Sequence, residues 1–330
     1  MKIKANGLDI EVEDSGPGDG PAARPVVLLI MGLGMQLIGW PDDFVRGLVD
    51  AGFRVVRHDN RDMGLSQGFD QAGRRNLMWE GLRARMGLPV RSPYTLQDMA
   101  DDALGVLDAL GVQRAHVVGA SMGGMIAQRV AAAAPARVAS LVSIMSSSGA
   151  RGLPGPAPEI GMALLQRPRS TAEADLVAFS VAFVRRIGSP AYPQPTEALE
   201  ANFRRALRRA YRPAGLMRQL LAIGADTTRA ELLSRIHCPT LVLHGEADRL
   251  VPIACGRDTA RRIAGSRFVS IPGMGHDLPP EVCRLLIGQI APFVHAAEQA
   301  QPAAGTPGTS GTPGTSAPRP AAPTSLGSTP

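Results

Sequence analysis

The feature that most constrains this chain is a Gly-x-Ser-x-Gly pattern centred on Ser121. It follows an apolar run at residues 115–118, which predicts a buried strand, and it leads into a proline-free, alanine-rich run at residues 122–134, which predicts a helix. A serine on such a turn is held in a strained conformation with its hydroxyl pushed outward, and side chains two positions away would collide. Gly119 and Gly123 remove those side chains, so the pattern predicts a nucleophile elbow.

A second match to the same pattern is centred on Ser66. The predicted strand before it ends near His58, the polar residues 60–62 intervene, and residues 69–73 after it do not resemble a helix start. Glycine, aspartate and serine are common in loops because each favours turn conformations. We therefore interpret Ser66 as a turn residue and Ser121 as the candidate nucleophile.

Apolar runs that predict strands alternate with runs that predict helices over most of the chain. Asn6 and Gly7, between two short alternating runs, predict an antiparallel hairpin. Further strands are predicted at residues 26–31, 53–58, 115–118, 138–145, 240–244 and 267–271, and helices at residues 41–51, 95–110, 122–134, 253–264 and 280–298. This order predicts an α/β fold with a mostly parallel, doubly wound sheet and right-handed crossovers.

The alternation stops between residues 147 and 233, which are helical in pattern, rich in arginine and without a clear strand. We interpret residues 147–233 as an inserted helical cap, or lid, that divides an α/β core into residues 1–146 and 234–298. Residues 299–330 consist mainly of Pro, Gly, Ser, Thr and Ala, with a near repeat. Such a tail cannot bury enough apolar area to offset its ordering entropy, so we expect it to be disordered.

Two sets of side chains in the predicted cap have alternative interpretations. The first set recurs at helical spacing and is either a solvated cationic face or a surface for an acidic substrate or partner: Arg204, Arg205, Arg208, Arg209 and Arg212. The second set either lines an apolar pocket or packs the cap on the core: Leu164, Leu165, Leu176, Phe179, Phe183, Leu216, Met217, Leu220 and Leu221.

Composition narrows the class of protein. A hydrophobic content of 45% is ample for the core of one large domain. The start of the chain has no apolar run of signal-peptide length, and no run approaches the length of a membrane span, so we expect a soluble, cytoplasmic protein. The net charge is +6, but the basic residues form no stripe with interleaved aromatics, which argues against nucleic acid. The sequence leaves the oligomeric state open.

Cysteine spacing gives no support for a disulfide framework or a metal centre. Cys238, Cys255 and Cys283 are odd in number and far apart, which fits neither paired cystines nor a zinc site. No nucleotide motif is present either. We therefore expect no metal and no cofactor, and we interpret the cysteines as structural thiols.

A serine nucleophile needs a base, and the base needs an acid that orients it. In doubly wound hydrolases these follow in the order Ser, Asp or Glu, His, on loops at the carboxyl ends of strands. The loop after the strand at residues 240–244 offers Asp248. Glu246 competes but lies nearer the strand and is more readily solvated, and Asp258 falls inside the next helix. Asp248 is the predicted acid.

His276 is the predicted base. It lies in the glycine-rich loop at residues 272–277, directly after the last strand and before the last helix, where a base could reach across the top of the sheet. The remaining histidines are interpreted as packing or surface residues: His58, His116, His237, His244 and His295.

Attack by Ser121 on a carbonyl would create an oxyanion that needs two preorganised N–H donors. In this type of site one donor comes from the residue after the nucleophile and the other from the loop after an early strand. The predicted donors are the backbone N–H groups of Met122 and Leu33. The helix beginning at Met122 would also point the positive end of its dipole at the site.

Several motifs together resemble the α/β-hydrolase superfamily, and in particular serine esterases similar to aclacinomycin methylesterase. These motifs lie at residues 31–34, 39–41, 57–66, 119–124, 245–252 and 273–276. The resemblance covers roughly residues 1–297 and is weakest in the cap. It implies a triad at Ser121, Asp248 and His276, an oxyanion hole of backbone amides, a helical cap over the pocket and no cofactor. One departure is Met31 before Gly32, where many relatives have histidine.

The expected reaction is hydrolysis of a carboxylic ester of a small apolar molecule through an acyl-enzyme. Thioesterases, acyltransferases, C–C bond hydrolases and cofactor-free haloperoxidases use the same triad, so these alternatives stay open. A non-catalytic ligand-binding protein that keeps the pocket is a further alternative. Epoxide hydrolases and haloalkane dehalogenases are disfavoured because they use an aspartate nucleophile where this chain has Ser121.

Overall fold

The computed structural model describes residues 1–16, 24–72, 79–80, 83, 86, 88–164 and 166–300. The predicted disordered tail, beyond residue 300, and Leu165 lie outside the described residues. Within them the chain forms an eight-stranded sheet with the strand order β1-β2-β4-β3-β5-β6-β7-β8. The strands are β1 (Lys2–Ala5), β2 (Leu8–Asp14), β3 (Val26–Ile30), β4 (Arg54–His58), β5 (Ala115–Ala120), β6 (Val138–Ile144), β7 (Thr240–Gly245) and β8 (Arg267–Ile271).

The sheet is antiparallel only at its amino-terminal edge. The β1/β2 and β2/β4 pairs are antiparallel, whereas β4/β3, β3/β5, β5/β6, β6/β7 and β7/β8 are parallel. The predicted mostly parallel, doubly wound sheet is therefore confirmed. After β3 the chain adds β4 on one side and β5 on the other, so the carboxyl ends of β3 and β5 flank the switch point where such sheets place their ligands.

Five of the described helices follow predicted positions, and the others lie in the stretch predicted to be helical without individual bounds. They are α1 (Asp42–Asp50), α2 (Leu96–Ala109), α3 (Met122–Ala133), α4 (Pro158–Leu164), α5 (Glu173–Ile187), α6 (Thr196–Arg209), α7 (Pro213–Ala225), α8 (Arg229–Leu232), α9 (Ile253–Arg262) and α10 (Pro280–Gln299). Thr95 caps α2 in a capping box, because its hydroxyl accepts from the N–H of Asp98 and the Asp98 carboxylate accepts from the N–H of Thr95. No helix among these residues has the length and apolar character needed to cross a membrane.

Two apolar layers cover the central strands, one on each face of the sheet. One layer contains α2 and α3, and the other contains α1 and α10. Because both faces are covered, β3, β5, β6 and β7 are apolar without strict alternation. In the second layer the rings of Trp40 and Phe44 stack with centroids 5.0 Å apart. The loops at the carboxyl edge of the sheet therefore extend from strands that are packed on both faces.

Helices α4 to α8 lie between β6 and β7 and are joined to the core by ion pairs to buried carboxylates. Arg218 of α7 contacts Asp62 at 2.7 Å, and Arg209 of α6 contacts Asp59 at 2.7 Å. Asp59 and Asp62 follow β4 and are fully buried. The loop after β4 therefore carries the carboxylates to which the helical segment attaches.

The five arginines singled out in the sequence all contact oxygen atoms of the protein. Arg204 pairs with Glu200, Arg205 with Asp42, Arg208 with Glu173 and Arg209 with Asp59, and the Nε of Arg212 donates to the carbonyl of Gly64. These contacts favour a structural role for the five arginines over a binding surface for an acidic partner.

The apolar side chains singled out in the same part of the sequence differ in exposure. Leu176 and Leu221 are buried, whereas Leu164 and Met217 are exposed.

His58 ends β4 in an environment that disfavours its charged form. Its side chain is buried, and neither ring nitrogen has a hydrogen-bond partner among the described residues. Burial lowers the pKa of the His58 imidazole to about 4, because the imidazolium would lose its hydration without gaining a partner. In the unfolded chain a histidine pKa is about 6.5.

This difference predicts a pH-dependent loss of stability. As the pH falls from about 6.5 to about 4, the unfolded chain binds a proton that the folded chain does not, so the free energy of unfolding decreases by about 3 kcal/mol. His58→Met is expected to remove this contribution. Urea titrations of both proteins between about pH 4.5 and 7.5 test it, and parallel stability curves would contradict it.

Candidate active site

Ser121 occupies a strained turn between β5 and α3. Its φ is +56° and its ψ is −121°, a region that a residue with a side chain seldom adopts. The N–H of Ser121 donates to the carbonyl of Ile144 at 2.9 Å. Its own carbonyl accepts from the N–H of Gly124 at 2.9 Å and from the hydroxyl of Ser146 at 2.7 Å. These contacts fix the turn from β6 and from the first turn of α3.

The glycines on either side of Ser121 lie where backbone segments touch. A Cβ atom on Gly119 would overlap the carbonyl oxygen of Gly123, and a Cβ on Gly123 would overlap the carbonyl oxygen of Ile30. In both cases the obstacle is backbone, so rotation of a neighbouring side chain could not relieve the clash. Strands β3 and β5 and the start of α3 can therefore meet only around glycine.

The structure brings His276 and Asp248 to Ser121. The Nε2 of His276 is 2.9 Å from the Oγ of Ser121, and its Nδ1 is 2.7 Å from the Oδ2 of Asp248. The Oδ1 of Asp248 accepts from the N–H groups of Leu250 and Val251 at 2.9 and 2.8 Å. Because the Asp248 side chain is fully buried, these bonds hold its carboxylate facing the imidazole.

The competing candidates lie in other environments. Ser66 is buried, where its hydroxyl donates to the carbonyl of Asp59 at 2.6 Å and accepts from the N–H of Glu11 at 2.9 Å.

The two competing acids also have other partners. Glu246 is exposed and accepts from the hydroxyl of Ser270. Asp258 lies in α9 and pairs with Arg262 and Ser148. None of these contacts joins a competitor to the imidazole of His276.

The loop after β3 also lies beside Ser121. A Cβ atom on Gly32 would lie 3.1 Å from the Cβ of Ser121, so the backbone next to Leu33 touches the serine. Within the described residues, no backbone hydrogen bond is donated by the N–H of Leu33 or of Met122. Both N–H groups belong to segments that border Ser121.

His244, which the sequence suggested only as a packing residue, lies beside the candidate acid. Its Nε2 is 2.7 Å from the carbonyl of Val251 and 3.6 Å from the Oδ2 of Asp248. The side chain is fully buried, and this burial lowers the pKa of the His244 imidazole. A neutral His244 that donates to Val251 would hold the loop that carries Asp248. Its position four residues before Asp248 was the only available sequence signal.

The helical segment also contacts the loop that carries His276. The N–H of His276 donates to the carbonyl of Ile187 at 2.7 Å, at the end of α5. The hydroxyl of Ser189 accepts from the N–H of Gly275 at 2.9 Å and donates to the carboxylate of Asp277. Burial raises the pKa of the Asp277 carboxyl. Sequence reasoning missed Ile187 and Ser189, because nothing in their local pattern indicates contacts almost ninety residues away.

The described residues also include a cleft and three cysteines that form no part of the candidate triad. A cleft of about 460 Å³ is lined by Gly64, Asp70, Arg212 and their neighbours, and none of Ser121, Asp248 or His276 lines it. No group of three or more His, Cys, Asp or Glu side chains in the described part of the chain could hold a metal ion. The cysteines at 238, 255 and 283 are free thiols.

A doubly wound sheet with a strained serine turn between a central strand and a helix is the arrangement of α/β hydrolases. A family model described as the α/β-hydrolase fold matches residues 25–281 of this chain. The chain therefore belongs to the α/β-hydrolase family, as the sequence motifs suggested.

The relatives are hydrolases. The chain is 32% identical over 313 residues to rhodomycin D methylesterase of Streptomyces peucetius, covering 88% of this chain and 96% of that protein. It is 30% identical over 253 residues to a 2-hydroxy-6-oxononadienedioate/2-hydroxy-6-oxononatrienedioate hydrolase of a Pseudomonas species, covering 75% and 78%. The crystal structure of the enol-lactonase of Burkholderia xenovorans LB400 shares the fold, with a TM-score of 0.68, 22% identity and coverage of 89% and 100%. The expectation that the chain is a hydrolase is thus confirmed.

The backbone contact at Gly123 predicts a large effect of a single methyl group. Gly123→Ala would force β3 away from α3, so we expect the free energy of unfolding to fall by about 3 kcal/mol or more. The matched control is Gly288→Ala in α10, where a Cβ meets no atom within 4 Å. That change should stabilise by about 0.5–1 kcal/mol. Denaturant unfolding of both variants tests this, and equal effects would contradict it.

Proposed function

We propose that this hydrolase cleaves a carboxylic ester of a small apolar molecule with Ser121, His276 and Asp248 as its catalytic triad. The observation that carries the proposal is the continuous hydrogen-bonded chain from the serine hydroxyl through both imidazole nitrogens to a buried carboxylate, at 2.9 and 2.7 Å. Such a chain allows the imidazole to take the serine proton while the carboxylate keeps it in the correct tautomer.

The proposed reaction has two halves. In the first, the Oγ of Ser121 attacks the ester carbonyl, its proton moves to the Nε2 of His276, and the same proton is then given to the leaving alcohol. The product of this half is an acyl-enzyme. In the second half, water gives a proton to the Nε2 of His276 and attacks the acyl carbon, which releases the acid and returns the proton to Ser121. The carboxylate of Asp248 stabilises the imidazolium in each half.

The proposed oxyanion hole consists of the N–H groups of Leu33 and Met122. The close approach of Gly32 to Ser121 supports this, and so does the position of Met122 at the first turn of α3, where helix N–H groups have no partner within the helix. Loss of one such donor typically raises the barrier by about 3 kcal/mol. The dipole of α3 adds a positive field at the same point.

The proposed cap comprises residues 147–233, between core residues 1–146 and 234–298. Contacts at both sides of Ser121 support it. The carbonyl of Ile187 meets the loop of His276, and Leu216 packs on Gly34 in the loop after β3. Helices that touch the proposed oxyanion loop and the base loop are placed to exclude water from the reaction.

An ester is the preferred substrate class because the methylesterase relative is matched over 96% of its length. C–C bond hydrolysis is the second candidate, since the Pseudomonas relative is named as a 2-hydroxy-6-oxononadienedioate/2-hydroxy-6-oxononatrienedioate hydrolase. Thioester cleavage, acyl transfer and cofactor-free haloperoxidation use the same triad and stay as alternatives. A non-catalytic binding protein would not need the hydrogen-bonded chain at Ser121.

The proposal predicts that Ser121 alone reacts with an active-site probe. Wild type treated with a fluorophosphonate should gain the mass of one adduct, and Ser121→Ala should gain none. Ser121→Ala should also lower kcat for 4-nitrophenyl acetate by about four to six orders of magnitude.

Ser66→Ala is the matched control, since Ser66 centres the other Gly-x-Ser-x-Gly pattern but bonds only to backbone. It should label and turn over substrate like wild type, with a stability loss of about 1–2 kcal/mol from its lost hydrogen bonds. An unlabelled wild type, or labelling that survives in Ser121→Ala, would overturn the triad assignment.

A further inference from the structure

The loop after β3 is held by a buried glutamine of the helical segment. Gln219 of α7 has no exposed surface. Its Oε1 accepts from the N–H of Gly34 at 2.9 Å, and its Nε2 donates to the carbonyl of Arg61 at 3.0 Å. Both ends of the amide are therefore used. One end bonds the residue directly after Leu33, and the other bonds the loop after β4.

The same face of α7 shapes the turn at Gly34. Gly34 has a φ of +70°, and a Cβ there would lie 2.6 Å from the Cδ1 of Leu216. Leu216 and Gln219 are three residues apart in a helix, so they share one face. This face meets the turn with one apolar and one polar contact. The turn at Gly34 is thus fixed by α7 and not only by its own sequence.

The other side of Leu33 is held by the loop after β4. The side-chain amide of Asn60 donates to the carbonyl of Met31 at 2.9 Å, which fixes the peptide group between Met31 and Gly32. Gln219 fixes the peptide group between Leu33 and Gly34. The peptide group that carries the N–H of Leu33 lies between these two anchors, which hold the Cα atoms at both of its ends. Its own carbonyl, that of Gly32, accepts from the N–H of Met35 at 3.2 Å and limits rotation about the line between those Cα atoms.

We propose that Gln219 is a positioning residue that aims the N–H of Leu33 at the developing oxyanion. This inference rests on the proposed function, in which Leu33 supplies one donor. Such a donor stabilises the oxyanion fully only when it is oriented before the reaction. A misplacement of about 1 Å can lower a rate about 100-fold. Through Gln219, the helical segment therefore helps to position an N–H group that stabilises the oxyanion.

The test is Gln219→Met, which keeps the length of the side chain and removes both hydrogen bonds. We expect kcat for 4-nitrophenyl acetate to fall about 10- to 100-fold, less than or equal to the loss of one oxyanion donor, with KM changed less than about threefold. Affinity for 1,1,1-trifluoroacetone, which forms a tetrahedral oxyanion adduct with the serine, should fall by a similar factor because it depends on the same donor.

The matched control is Gln128→Met, which removes another fully buried glutamine. Gln128 in α3 bonds the hydroxyl of Ser143 and the Nε of Arg229, and it contacts neither Leu33 nor Gly34. It should lower the unfolding midpoint at least as much, because one of its partners is the buried guanidinium of Arg229, and leave kcat within about twofold of wild type. An equal loss of kcat in both variants would show that lost core polarity is responsible and would overturn the inference.

The inference and the proposed function fail in different ways. If Ser121→Ala retains turnover, the proposed function is wrong. If Ser121→Ala is inactive while Gln219→Met keeps its kcat, or raises KM alone, only the positioning role is overturned. Should Gln219→Met fail to fold, Gln219→Asn serves instead. Its amide is one methylene shorter and cannot bond both Gly34 and Arg61, so a loss of kcat of about 3- to 10-fold is expected and an unchanged kcat would overturn the inference.

Discussion

The left-handed backbone of Ser121 is the constraint on which the rest of the structure depends. A residue with a side chain in such a conformation costs about 1–3 kcal/mol and persists only when its surroundings fix it. Here β6 supplies the acceptor for its N–H through Ile144, and Ser146 bonds its carbonyl. The absence of a Cβ at Gly119 and Gly123 lets β3, β5 and α3 close around it. The central sheet and its glycines are therefore arranged to hold one serine hydroxyl outward.

The remaining parts of the candidate site reach Ser121 from loops that are each secured at a distance. Asp248 is held by backbone N–H groups of its own loop, and His244 bonds the carbonyl of Val251 in the same loop. The loop of His276 is secured by the end of α5, and the loop after β3 by α7 and the residues after β4. Helices α5 and α7 thus support the two loops on opposite sides of Ser121, so the geometry of the site depends on them as well as on the sheet.

The sequence predicted the elements well because their signals are local. Uninterrupted apolar runs mark the buried parallel strands, and Thr95 with Asp98 marks the start of α2. The order of Ser121, Asp248 and His276 on loops after strands was enough to select three residues that the structure brings within hydrogen-bonding distance.

Contacts between distant segments were beyond such reasoning. Gln219 meets a residue 185 positions earlier, and Ser189 one 86 positions later. Which face of α7 meets which loop follows from packing of the whole molecule, and a glutamine in a helix carries no local mark of its partner. The buried ion pair of Arg218 and Asp62 could not be predicted from the sequence for the same reason.

That pair limits how the helical segment can move. Asp62 is fully buried and Arg218 is 4% exposed, and their carboxylate and guanidinium are joined by two hydrogen bonds of 2.7 Å. Removing one partner of such a pair typically costs about 3–5 kcal/mol, because the other charge stays buried without compensation. Arg209, whose side chain is partly exposed, adds a second ion pair from α6 to the buried carboxylate of Asp59. A segment that lifted as one rigid body would have to separate both pairs and release Gln219 from Gly34. The contacts that hold α7 to the loops after β3 and β4 therefore oppose movement of the helical segment as a rigid body.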